Sequence, residues 1–221
     1  MTAAIRDSFL QEVSGVIHVG ANSGQERDTY KEHGLPVIWV EAFAEVFEKL
    51  LQNIDGYPSQ RAILALMTDA DGAEYEFNVA NNSGASSSIY QFGQHKDIWP
   101  QVEYVSKRTL RGSRLDTLLH QEGISVEDYS ALVLDVQGAE LLVLKGAGKS
   151  LEKFRFVKAE AADFESYVGG CTVDGLNAYL SDFDFQEISR RPFAKHQSGG
   201  RYWDITWGRP NAKDAAIAGP L

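Results

Sequence analysis

Five side chains of this sequence stand where they could do chemistry. Glu41 closes the apolar run PVIWVEA, Asp135 closes SALVLDV, Glu160 follows FRFVKA, His18 lies inside GVIHVGA, and His95 lies in FGQHKDIWP. An apolar run that ends on an acid delivers its carboxylate to the C-terminal edge of a sheet, the side on which open α/β sheets bind ligands. Asp135 is therefore the first candidate for a proton acceptor; its competing role is to cap the helix that follows. Glu160, ending the neighbouring strand, comes close to Asp135, and two carboxylates suit a hard cation such as magnesium. His95 is a second candidate base because imidazole titrates near neutrality, against the plainer reading of a surface histidine.

The stretch VIHVGANSGQE looks like a strand running into a glycine loop. Only Gly20 and Gly24 are present, with Asn22 between them, a residue that tolerates a left-handed backbone. Such a turn is expected to present unpaired N–H groups from Gly20, Ala21, Asn22 and Ser23 to a ligand at a helix N-terminus. Gly24 is expected to serve close helix packing. Glu41 follows roughly twenty residues later, where a carboxylate binds ribose hydroxyls, so adenosine is the expected ligand. Asp69, in TDADG, either faces an adenine amine or is a turn residue. His18 is either a hydrogen-bonded core histidine or a contact to the charged end of the ligand.

These residues need a scaffold, and the chain alternates apolar runs with helical patterns, as a parallel sheet covered on both faces does. Strands are expected at 15–21, 36–42, 61–66, 130–136, 154–159, 185–188 and 202–207, with a strand-like piece after Ala73 and a short one at 102–105. Helices are expected at 25–33, 44–53, 113–121 (capped at its start), 139–145 and 173–181. The gap between Arg190 and Arg201 has no room for a crossover helix, so the last two strands form an antiparallel hairpin. The fold class is α/β with a mostly parallel seven-stranded sheet in one domain, residues 1–221, with a core over about 13–208 and a loose tail from Arg209.

Composition narrows the partners. With 31 acidic against 21 basic residues the formal charge is -10, which repels a phosphate backbone and argues against nucleic acid. There is no run of roughly 18 apolar residues and no apolar signal core near the N-terminus, so no membrane partner and a cytoplasmic location are expected. Cys171, the one cysteine, excludes an intramolecular disulfide and reads as buried and inert. The loop around Ser86, Ser87 and Ser88 covers a ligand or is a flexible linker. Trp99, Tyr104 and Tyr167 line an acceptor or belong to packing. Two basic groups, Lys107 with Arg108, Arg111 and Arg114, and Arg190 with Arg191, Lys195 and His196, bind an anion or are solvated, the first on a loop. The sequence carries no signal for oligomeric state.

Several blocks in order resemble the FkbM-family methyltransferases: VIHVGANSGQE, VEAFAEVFEKLLQNI, NNSGASSSIY, RLDTLL, LVLDVQGAELLVLKGAGKSL and ESYVGG. The chain departs from the family pattern at His18, where Asp is usual. The resemblance implies a three-layer class I methyltransferase (Rossmann-like) fold and S-adenosyl-L-methionine as cofactor. It assigns Gly20, Ala21, Asn22 and Ser23 to the amino-acid part, Glu41 to the ribose, and Ser87 and Ser88 to the cover. The activity it implies is O-methylation of a small-molecule acceptor, a sugar or glycosylated natural product, with Asp135 or His95 taking the proton. An NAD-dependent oxidoreductase and a catalytically silent cofactor-binding module are the competing readings.

Overall fold

The computed structural model describes residues 8–209; the expected tail lies outside them apart from Arg209. Seven strands form the main sheet: β1 (Val16–Val19), β2 (Val37–Glu41), β3 (Gln60–Leu64), β7 (Ala131–Leu134), β8 (Phe156–Ala162), β9 (Gln186–Lys195) and β10 (Arg201–Gly208). They lie in the order β3-β2-β1-β7-β8-β10-β9. All neighbours are parallel except β10, which runs antiparallel to both β8 and β9. The chain thus has the three-layer class I methyltransferase arrangement.

Alternation along the strands sorts side chains onto two faces. Ile17, Val19, Leu132 and Leu134 pack on one face beneath α4 (Leu115–Gln121), α5 (Glu140–Ala147) and α6 (Val173–Ser181). Val16, Trp39, Ala131 and Val133 pack on the other. There Tyr30 of α1 (Arg27–Glu32) and Leu50 and Ile54 of α2 (Ala44–Ile54) close over them. His18 sits in this second layer, 4% exposed, stacked on Trp39 with ring centroids 5.0 Å apart.

A second sheet of three strands, β4 (Leu66–Met67), β6 (Tyr104–Ser113) and β5 (Glu74–Ala80), was not expected at this size. The short strand anticipated at 102–105 is in fact ten residues long and antiparallel to β5. Its basic residues stand on a strand, not a loop, and are paired: Lys107 with Glu76, Arg108 with Glu45, Arg111 with Glu74. Ser113 ends β6 and does not cap α4, whose cap residue is Arg114. Strand β8 continues past Glu160, which pairs across to Asp204 of β10, and β9 is longer than expected. One further short helix, α3 (His95–Ile98), lies along the chain between β5 and β6.

Candidate functional site

The C-terminal ends of β1, β2 and β7 meet at a tight vertex. Gly20 has φ +81°, and a Cβ there would lie 1.9 Å from the Asp135 carbonyl oxygen, so only glycine lets the first loop touch the end of β7. Asn22 takes the left-handed backbone, φ 45°. A Cβ on Gly24 would lie 2.8 Å from Leu50 of α2, which is the helix packing expected of it.

The loop's donors are spent differently from the expectation. The N–H groups of Gly20 and Ala21 bond the Val40 carbonyl at 2.9 and 3.1 Å, and that of Gly24 bonds the Ala21 carbonyl. Asn22 donates its N–H to Glu41 Oε2 at 2.8 Å, and Ser23 donates to the Asn22 side chain at 2.7 Å. The turn therefore folds around the Glu41 carboxylate and is not an anion nest. Glu41 also accepts the Phe43 N–H through Oε1 at 2.8 Å. Each carboxylate oxygen has a second lone pair, so both retain capacity for a ribose hydroxyl. Burial pushes the Glu41 carboxyl up, while its backbone hydrogen bonds pull it down.

From this vertex opens a cleft of about 680 Å³, including its mouth, which Gly20, Asn22, Glu41, Met67, Ser87 and Asp135 help to line. The second sheet and the serine loop roof it. Ser87 Oγ accepts the Ala80 N–H, and Ser88 Oγ donates to the Gln137 carbonyl at 2.7 Å, so the loop is a fixed cover and not a linker. Asp69 is not among the lining residues; its carbonyl accepts from Arg114 beside the turn that Asp71 anchors. Ala21, Ser23 and Gly24 are not among the lining residues either.

Asp135 and Gln137 also line a second, wider pocket of about 1050 Å³. Its walls carry His95, Trp99, Phe193 and Tyr202, with Asn81, Asn82, Ser86, Gln101 and Glu160. His95 is not a surface residue: it is 3% exposed, among the rings of Phe92, Trp99, Tyr167 and Tyr202. Nδ1 shares a 2.7 Å hydrogen bond with the Tyr202 hydroxyl, and Nε2 has no partner in the protein. Burial lowers its pKa to about 4, so at neutral pH the ring is uncharged and a weak base. Tyr167 stays behind the wall and Tyr104 bonds the Tyr90 carbonyl, so of the three expected aromatics only Trp99 lines this pocket.

Sequence reasoning missed Gln137. It has φ 53°, donates through Nε2 to Asp135 Oδ1 at 2.5 Å, and accepts the Tyr167 hydroxyl through Oε1. A glutamine between Asp and Gly at the end of a buried strand was the available signal. Glu140, 2% exposed, holds the same turn by accepting the Val136 and Gly138 N–H groups, and its other oxygen accepts the Cys171 thiol at 3.0 Å. Burial and this carboxylate push the thiol up, which leaves it inert as expected.

Burial, and next the Glu160 carboxylate, push the Asp135 carboxyl well up. Glu160 rises to about 7, from burial first and Asp204 second. Among the described residues no group of three or more His, Cys, Asp or Glu is arranged to hold an ion, so the magnesium expected at Asp135 and Glu160 gains no third such ligand. In the second basic group Arg190 pairs with Glu187, Arg191 with Asp204, and His196 with Asp97.

Among the described residues no helix is long and apolar enough to cross a membrane. The chain is 24% identical over 186 residues to the 2-O-methyltransferase NoeI of Sinorhizobium fredii (strain NBRC 101917 / NGR234), covering 80% of this chain and 75% of that protein. Its fold is similar to an uncharacterized protein of Listeria monocytogenes serotype 4b, with TM-score 0.50 and 8% identity over 98% of this chain and 69% of that one. It is also similar to the 1,6-didemethyltoxoflavin-N1-methyltransferase of Burkholderia thailandensis, solved with S-adenosylhomocysteine, with TM-score 0.48 and 12% identity over 94% and 76% of the two chains. Residues 18–187 match the Methyltransferase FkbM domain, and with the sheet order, the Gly20 vertex and the Asp135 turn already in place, the chain belongs to that family of S-adenosylmethionine-dependent methyltransferases.

Proposed function

We propose that this enzyme transfers a methyl group to a hydroxyl of a sugar or a glycosylated small molecule. The observation that carries the reading is that Asp135 and Gln137 line both the cofactor cleft and the aromatic pocket. Bound S-adenosylmethionine supplies an electrophilic methyl on a sulfonium. An acceptor hydroxyl held between the two spaces would lie beside Asp135, and its alignment by these residues would supply much of the rate.

As the hydroxyl oxygen attacks, its proton passes to the Asp135 carboxylate, which Gln137 holds in position. His95, uncharged and with Nε2 turned to no protein group, offers one hydrogen bond to the acceptor and stays second to Asp135 as the base. Aromatic side chains beside Asn81, Asn82 and Gln101 suit the apolar faces and hydroxyls of a sugar ring. The distant relative whose name specifies a 2-O-methyltransferase supports transfer to oxygen. The family replaces the nicotinamide reading, and turnover separates an enzyme from a silent module.

The test is a mass-spectrometric screen of glycosides, phenols, amines and RNA with S-adenosylmethionine. A methylated sugar hydroxyl is the expected product. Methyl found only on nitrogen or on RNA, or no turnover across the panel, would overturn the reading.

A further inference from the structure

The wider pocket discriminates by charge. Among the described residues that line it, Asp135 and Glu160 carry carboxyls and none is a lysine or an arginine. Lys158 of β8 and Arg191 of β9 both pair with Asp204, which stands opposite Glu160 on β10. His95 is uncharged at neutral pH. An anion drawn into this space would lose its water, face two acids and meet no cation among the lining side chains.

The strand register sets the two carboxyls side by side. Leu134 of β7 pairs with Ala159 of β8 in a parallel ladder, so Asp135 and Glu160, one residue further on each strand, are neighbours at the strand spacing of about 4.8 Å. Along residues 159–162 Glu160 alone is exposed, and it helps to line the wider pocket but not the cofactor cleft. A second, independent feature marks the same space as a binding site. His95 is 3% exposed, and its Nε2 has no partner in the protein, a buried polar atom that packing alone does not explain. Asn81, Asn82 and Gln101 add amides that donate and accept. Hydroxyls, which also do both, match this set better than any charged group does.

We propose that the wider pocket takes an uncharged polyol and that Glu160 determines which one: its carboxyl accepts a hydrogen bond from the hydroxyl next to the one that is methylated, while Asp135 receives the proton of the reacting hydroxyl. The assignment rests on the sugar-acceptor reading and adds to it a required neighbouring hydroxyl and the exclusion of anionic sugars.

The probes are the methyl glycosides of glucose, galactose and mannose, their monodeoxy analogues and their uronate counterparts, compared by kcat/KM for methyl transfer. The wild type should favour neutral glycosides over uronates by about tenfold or more, and loss of one hydroxyl flanking the methylated position should cost about tenfold, the scale of a hydrogen bond to a charged group. In Glu160→Ala that deoxy analogue and its parent should react alike. Glu160→Gln, which still accepts a hydrogen bond, should keep part of the discrimination and narrow the bias against uronates. Both variants should bind S-adenosylhomocysteine within about twofold of the wild type by calorimetry, which shows that they are folded with an intact cofactor cleft. Uronates methylated as fast as neutral glycosides, a deoxy penalty unchanged in Glu160→Ala, or S-adenosylhomocysteine binding lost in both variants would overturn the proposal alone. A wild type that methylates no sugar in this set or in the wider screen would overturn the sugar-acceptor reading and the proposal with it.

Discussion

Gln137 donates to Asp135 at 2.5 Å and, through its other amide atom, receives the Tyr167 hydroxyl. The carboxylate at the junction of cleft and pocket is thus aimed by a chain of two side chains anchored in the buried layer. Asp135→Asn removes the proton acceptor and keeps the shape, so turnover should fall by about 10²–10⁴ while S-adenosylhomocysteine binding persists. Tyr167→Phe should lower kcat and leave KM for the cofactor nearly unchanged. A full rate in Asp135→Asn, measured by methyl transfer, would leave that residue a purely structural part.

Glu41 does two jobs, since it holds the first loop through Asn22 and Phe43 and faces the cleft. Glu41→Ala should weaken S-adenosylhomocysteine by about tenfold or more. It should also lower the melting temperature, because two backbone donors lose their partner. Unchanged affinity by calorimetry would remove the ribose assignment.

Acid should destabilise the fold through His18 and His95. Both are held down to about 4 by burial, against 6.5 for a free imidazole. Between pH 6.5 and 4 the unfolded chain binds protons that the folded chain refuses, so stability present above pH 6.5 is lost as pH falls toward 4. Each buried ring accounts for at most about 3 kcal/mol. The raised carboxyls of Glu41, Asp135, Glu140 and Glu160 act with the opposite sign in the same window, so the test is the difference between proteins: His95→Gln should change the slope of urea melts by about one proton. Identical slopes in the wild type and His95→Gln would show that the His95 ring is not buried in solution.

Cofactor binding should move protons. Asp135 is pushed well up and Glu160 to about 7, so near neutral pH part of this pair is protonated before the cofactor arrives. A sulfonium beside them favours the ionised form, so binding should release protons, whereas the uncharged sulfur of S-adenosylhomocysteine should release fewer. Calorimetry at pH 7 in buffers of different ionisation heat measures the difference; identical proton release for both ligands would contradict it.

The sheet was legible because buried strands leave continuous apolar runs, and because the short gap after Arg190 admits only a hairpin. Strand β6 was not: YVSKRTLRGS shows charge along much of its length, since its partners are the acids of β5 and α2 and not a core. Glu41 and Asp135 were legible from their places at strand ends. His95 was not, since its burial depends on Tyr167 and Tyr202, which lie far along the chain. The loop's N–H groups were misread for a related reason. Their partners are the neighbouring strand and Glu41, which no local pattern of glycines reveals.

The hairpin β9–β10 brings Phe193 and Tyr202 to the second, wider pocket, and His196 at its turn clasps Asp97 of α3 at 2.9 Å. None of these residues touches the Gly20 vertex or lines the cofactor cleft. The two spaces share Asp135, Gln137 and the loop at Ala85, whereas the hairpin and α3 contribute only to the second. If the acceptor sits there as proposed, exchanging the hairpin together with α3 between relatives should change acceptor choice and leave S-adenosylhomocysteine affinity as it stands.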